Sequence, residues 1–132
     1  MPMAEPIVFV SHFSINEGAL DALRRYTEET TQELERDRPR TGVFVSFISD
    51  DLTSASFIHV FSDAESMDAH VQGAEERSKA AYEYIKPAGW EIYGRPSEAT
   101  MEMFRQAAAG TGVGLTVEPD FLAGFLRLQI PS

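Results

Sequence analysis

The stretch Phe57 to Ile85, FIHVFSDAESMDAHVQGAEERSKAAYEYI, changes its hydrophobic period once, from two to 3.6, at a helix-capping signal. An apolar strand that runs straight into an amphipathic helix must fold that helix back onto its own sheet. Ser56 to Phe61, SFIHVF, sets Phe57, His59 and Phe61 on one face and Ile58 and Val60 on the other. Both faces are largely apolar, so the strand is expected to be covered on both sides. Ser62 and Glu65 form S-x-x-E, a capping box that would satisfy free N–H groups at the helix start, and Asp63 competes as N-cap. Met67, Val71, Ala74, Ser78, Ala81 and Ile85 then step along one face of a single long helix, which Pro87 and Gly89 end. His70 lies on the flank of that stripe, where its imidazole is expected to look into a cavity between helix and sheet. The plainer reading is a half-buried histidine bonded to a neighbour or to water.

The rest of the chain fits round this unit. Ile7 to Ile15 alternates as a first strand, and Asn16 is expected to cap a helix whose stripe is Leu20, Leu23, Thr27, Thr30 and Leu34. That helix is spent by Asp37, before Pro39. Thr41 to Ser49 reads as a second strand, joined to the third by the polar turn Asp50 to Ser54. Gly89 to Gly94 reads as a fourth. Ser97 starts another helix through Met101, Phe104 and Ala108, with Gly110 as its stop, and Gly112 to Val117 is a fifth strand. Phe121 to Ile130, FLAGFLRLQI, is an apolar tail expected to lie on the body of the protein or on a partner. The order β-α-β-β-α-β predicts a ferredoxin-like α+β fold, an antiparallel sheet with its helices on one face, followed by a C-terminal α-β extension. Residues 1–132 read as a single domain, its core about 6–94 and its extension about 95–132. The helices can cover only one face of the sheet. A second copy on the other face, giving a homodimeric α/β barrel, is the economical expectation.

Composition removes several functions. Eleven basic and 21 acidic residues give a net charge of −10, which opposes sequence-independent binding of nucleic acid or adsorption to an anionic bilayer. No cysteine is present, so disulfides, thiolate metal sites and cysteine nucleophiles are excluded. The opening MPMAEP has neither a basic nor an apolar signal region, and no apolar run reaches membrane-spanning length, which predicts a cytoplasmic protein.

The motifs are sparse. GTGVG, Gly110 to Gly114, follows a helix and precedes a strand, the reverse of a phosphate-binding turn, and reads as a helix stop. G-x-S-x-G is missing. His12, His59 and His70 come from three separate elements, with no HxH or HExxH spacing to link them to a metal. The acidic run Glu28, Glu29, Glu33 and Glu35 reads as a solvated helix face. The many aromatic residues are mostly core, and some could line a pocket for a flat apolar ligand.

The first strand IVFVSHFSINEG and the block FIHVFSDAESMDAHV, with Ala69-His70-Val71 on its helix, resemble the antibiotic-biosynthesis monooxygenase family, which includes quinol monooxygenases. Tyr82 is similar to an aromatic that often follows there. The resemblance covers roughly residues 6 to 94. It departs at Phe61, where the family often has tryptophan, and at Ser11 and His12, where the haem-degrading branch has asparagine early in the strand. The resemblance implies a dimeric α+β barrel that oxidises phenolic, quinol or polyketide-type substrates with molecular oxygen, with no cofactor. It implies a cavity-lining role for His70, which is the candidate base or orienting group; it says less about His59 and His12, the poorer catalytic candidates. Phe61, Phe57, Trp90 and Tyr82 are the substrate-binding candidates. The implied partners are a second copy and a small aromatic or apolar ligand. Two other readings stay open: a non-catalytic ligand-binding or dimerisation module, and an isomerase or cyclase using the same pocket.

Overall fold

The computed structural model describes residues 5–127. Along the chain run β1 (Ile7–Ile15), α1 (Leu20–Asp37), β2 (Thr41–Ile48), β3 (Ser54–Phe61), α2 (Ala64–Val71), α3 (Ala74–Ala81), β4 (Ile85–Tyr93), α4 (Glu98–Thr111) and β5 (Leu115–Glu118). The sheet order is β2-β3-β1-β4-β5. The first four strands are antiparallel neighbours, and α4 carries the chain over to β5, which pairs with β4 in parallel. This is the ferredoxin-like α+β arrangement with its α-β extension. Among the described residues no helix is long and apolar enough to cross a membrane.

Strand parity decides what faces the helices. Ile7, Phe9, Phe61, Trp90 and Ile92 form one buried cluster with Met67 of α2 and with Met101 and Phe104 of α4. Leu23 of α1 closes a second cluster with Ala55 and Ile85. The helices therefore share one face of the sheet. On the other face lie Val8, Val10, Val43 and Ile58, all partly exposed, and Val45 and Phe47, which are 41% and 62% exposed.

Two bulges interrupt the parity. Opposite β3 the register steps between Thr41 and Val43, which leaves Gly42 as an extra residue. Thr41 and Phe44 thus both pair with helix-side residues, Phe61 and His59, although they are three apart. Opposite β1 the register steps at Ala88, so Ile85 and Trp90 are both buried on the helix side.

Several boundaries differ from the sequence expectation. The long helix from Met67 to Ile85 is two helices. Gln72 is extended, and Gly73 sits at φ 79°, a left-handed conformation open to glycine at low cost. Ile85 belongs to β4, which begins four residues before Gly89 and takes Pro87 in next to its bulge. Asp63, not the Ser62–Glu65 box, caps α2: the Ser66 N–H donates to Asp63 Oδ1 at 2.8 Å. Asn16 does not cap α1, which starts after Ala19. Instead the Asn16 amide donates to the carbonyls of Tyr82 and Glu83 and fastens β1 to the end of α3. Gly112, not Gly110, closes α4. The tail has neither helix nor strand as far as Arg127, with Leu122 97% exposed; its remainder, like Met1 to Ala4, lies outside the described residues.

Candidate active site

His59 stands in the middle of β3, between Phe9 of β1 and Phe44 of β2, the residues paired with it on either side. All three side chains point toward the helices. The imidazole stacks on the Phe9 ring at 4.9 Å and meets the edge of Phe44 at 5.1 Å. Its Nδ1 lies 3.2 Å from the Phe9 carbonyl oxygen. A carbonyl only accepts, so Nδ1 carries the proton and donates. The neutral ring then presents a lone pair at Nε2, which has no partner among the described residues.

His70 reaches the same spot from the last turn of α2. Its ring lies 5.0 Å from that of His59, edge to face, and 5.1 Å from Phe61. Thr41 Oγ1, brought to this side by the Gly42 bulge, bonds His70 Nδ1 at 2.7 Å. A hydroxyl can donate or accept, so His70 Nε2 can carry either a lone pair or a proton. Burial lowers the His59 pKa to about 4. His70 is lowered to about 3, first by burial and then by the neighbouring His59 and Arg77. At neutral pH both imidazoles are uncharged.

They line a cavity of about 510 Å³ between the sheet and helices α1, α3 and α4. Its walls are chiefly apolar, with Phe9, Phe57, Trp90 and Phe104 among them. Thr27 and Thr30, expected in the buried stripe of α1, face this space, so the stripe is only partly filled. At the rim are Tyr82, 41% exposed, and the exposed Glu75 and Lys79, which form an ion pair at 3.8 Å. The volume suits a small aromatic molecule.

The structure thus gathers His59, His70, Phe57, Trp90 and Tyr82 round one cavity. Phe61 is fully buried beneath the histidines and is not among the residues that line the cavity. His12 is separated from the other two. Its even position in β1 turns it to the helix-free face, where Nε2–H donates to Glu91 Oε2 at 2.6 Å and Nδ1 bonds Ser56 Oγ at 2.9 Å. Tyr93 O–H donates to the same carboxylate at 2.8 Å. The bonds from His12 and Tyr93 hold Glu91 below the usual carboxylate range. Among the described residues no three His, Asp or Glu side chains converge as metal ligands.

Two residues at the site were not anticipated. Thr41 depends on the bulge, for which a glycine inside a strand was the available signal. Arg77 of α3 lines the cavity and folds back over the helix break, with Nη2 donating to the His70 carbonyl and Nη1 to that of Gln72. The Tyr26 hydroxyl donates to the Arg77 carbonyl at 2.9 Å and steadies that turn from α1.

No protein-family profile and no curated protein matches the sequence. Solved structures do. MupZ from Pseudomonas fluorescens superposes with a TM-score of 0.70 at 16% identity, over 97% of this chain and 99% of that one. SnoaB, a cofactor-independent oxygenase from Streptomyces nogalater, gives 0.58 at 18% identity, over 71% of this chain and 96% of its own. A Bacteroides thetaiotaomicron protein provisionally assigned as an antibiotic biosynthesis monooxygenase gives 0.54 at 13%, over 62% and 81%. At these identities the likeness establishes the fold, and it is the fold that the sequence resemblance implied.

Proposed function

We propose that the chain is a cofactor-independent monooxygenase that oxidises a small phenolic, quinol or polyketide-type substrate with molecular oxygen. The observation that carries this reading is the pair of uncharged imidazoles inside an apolar cavity, one of them with its lone pair fixed toward the open space. His59 Nε2 takes the phenol proton; His70, held by Thr41, orients the same oxygen. The electron-rich ring then passes an electron to oxygen, and recombination at carbon gives a peroxide. Loss of water leaves a quinone carbonyl, so one oxygen atom enters the product and the other leaves as water. The apolar walls keep bulk water from the intermediate. His59, rather than His70, is the better base, because its tautomer is set by the Phe9 carbonyl.

The test is oxygen uptake with a panel of phenols and quinols. His59→Gln should lower kcat by about 10²- to 10⁴-fold, since glutamine cannot take the proton. Unchanged turnover in that variant removes His59 from the mechanism. A second reading, an isomerase or cyclase, is supported by the same two rings: a lone pair on His59 beside a nitrogen on His70 that can carry a proton is an acid–base pair. Product formed without oxygen would select it, and ligand retained without conversion would select a binding module. We further infer a homodimer closed through the helix-free sheet face, with Phe47 and Val45 as the most exposed apolar residues of that surface.

A further inference from the structure

The cavity wall contains a cation with no carboxylate in ion-pair contact. Arg77 is about half-buried, and no Asp or Glu pairs with it among the described residues. Two of its five N–H donors are taken by the carbonyls of His70 and Gln72. Nη1 and Nη2 each make one such bond and Nε makes none among the described residues, yet Nε is not sealed away without a partner: the only side-chain atom in that state among them is Arg38 Nε. Arg38 gives Arg77 no relief. It donates to the same Gln72 carbonyl, and the two guanidinium groups come within 3.5 and 3.8 Å of one point above Gly73. Burial and this second cation lower the Arg77 pKa from its usual value against the smaller opposing effects of Glu33 and Tyr26, and the guanidinium remains charged. The field of Arg77 also reaches both histidines and lowers them.

An aromatic ligand that gives up its proton in this space becomes an anion in an apolar enclosure, which is costly unless a cation or several donors face it. The two imidazoles are uncharged before the proton moves, and burial disfavours the imidazolium that His59 forms on accepting it, so a lasting positive charge has to come from elsewhere. We propose that Arg77 receives the anionic oxygen of the ligand, so that the cavity selects aromatic molecules able to bind as phenolates. This rests on the reading that the cavity takes a phenolic substrate. In the step concerned the O–H bond breaks heterolytically. The electron pair stays on oxygen beside Arg77, the proton passes to His59 Nε2, and nothing is oxidised or reduced.

The experiment reads the ionisation of a bound probe and needs no turnover. Para-nitrophenol is bound to the full chain, and its phenolate absorbance is titrated with pH. In the wild type the bound probe should ionise at a lower pH than the free probe. Arg77→Met should weaken phenolate relative to phenol about tenfold, a rise of about one unit in the bound-probe pKa. Arg77→Lys, which keeps the charge and loses the planar fork, should recover most of the difference. A bound-probe pKa equal to the free value in the wild type overturns the proposal, whether or not the variants fold. So does a methionine variant that titrates like the wild type, or a lysine variant that titrates like the methionine one. Probe binding with the lowered pKa, together with no oxygen uptake on any phenol or quinol of the panel, would sink the oxygenase reading and leave the anion site standing. A wild-type cavity that takes up no probe overturns both.

Discussion

Acid should weaken this fold in a window set by two residues. His59 and His70 have folded-state pKa values of about 4 and about 3, below the ordinary 6.5. A depressed value means that the unfolded chain binds the protons first. The stabilising effect of keeping the rings uncharged is present in full above about pH 6.5, is lost as pH falls, and levels off only below about pH 3. At about pH 5 both folded imidazoles remain neutral while an unfolded imidazole is almost wholly protonated. Each histidine therefore costs about 2 kcal/mol there, from about 1.5 units at about 1.4 kcal/mol per unit. The pair should remove about 4 kcal/mol between about pH 7.5 and about pH 5, a large part of a typical folding free energy. The assay is urea unfolding at both pH values and one protein concentration for the wild type, His59→Gln and His70→Gln. Each variant should lose about 2 kcal/mol less than the wild type across the interval, whatever its packing cost at neutral pH. Variants that lose as much as the wild type would refute the burial of neutral imidazoles as the source of the pH dependence.

Three further outcomes are expected. Asp63→Ala should cost about 1 kcal/mol in urea unfolding, because it removes the bond to the Ser66 N–H, while Ser62→Ala should change little. Phe61→Ala should cost about 3–5 kcal/mol, read as a loss of melting temperature, since that ring is fully buried beneath both histidines. If the proposed dimer forms through the helix-free face, Phe47→Asp should shift sedimentation to monomer, and a wild type that already sediments as a monomer at micromolar concentration would remove the barrel assembly.

Much of this was legible in the sequence, because the strand pattern is strong. Alternation grouped the odd positions of β1 and of β3, which the structure turns toward the helices, and the same parity placed His59 with Phe57 and Phe61. Parity also held the answer for His12: five residues from Ile7 puts it on the other face, out of reach of the remaining two histidines. Which face holds a cavity cannot be read from alternation, since both are apolar. The break at Gly73 was hidden for a different reason. Ala74, Ser78 and Ala81 continue the three- and four-residue steps across it, so periodicity alone reads through the turn. What holds the turn is side-chain bonding that the apolar steps do not register: Arg38 from the far end of α1 and Arg77 from α3 itself satisfy the carbonyls at the end of α2. Arg77 lines the cavity from α3, beyond that turn.

The extra residues at Gly42 and Ala88 bear on how this chain can tolerate changes of length. Each shifts the phase of its strand by one, so the segments on either side are counted separately. A deletion in the turn between β2 and β3, where Asp50 to Thr53 are exposed, shortens a loop and leaves both phases alone. A deletion at Gly42 joins the two phases of β2 and turns Thr41 away from His70, unless Phe44 turns instead and leaves His59. A deletion at Ala88 poses the same choice between Ile85 and Trp90. Homologues that keep this cavity should therefore vary in length in their turns while conserving the spacing of three from Thr41 to Phe44 and of five from Ile85 to Trp90.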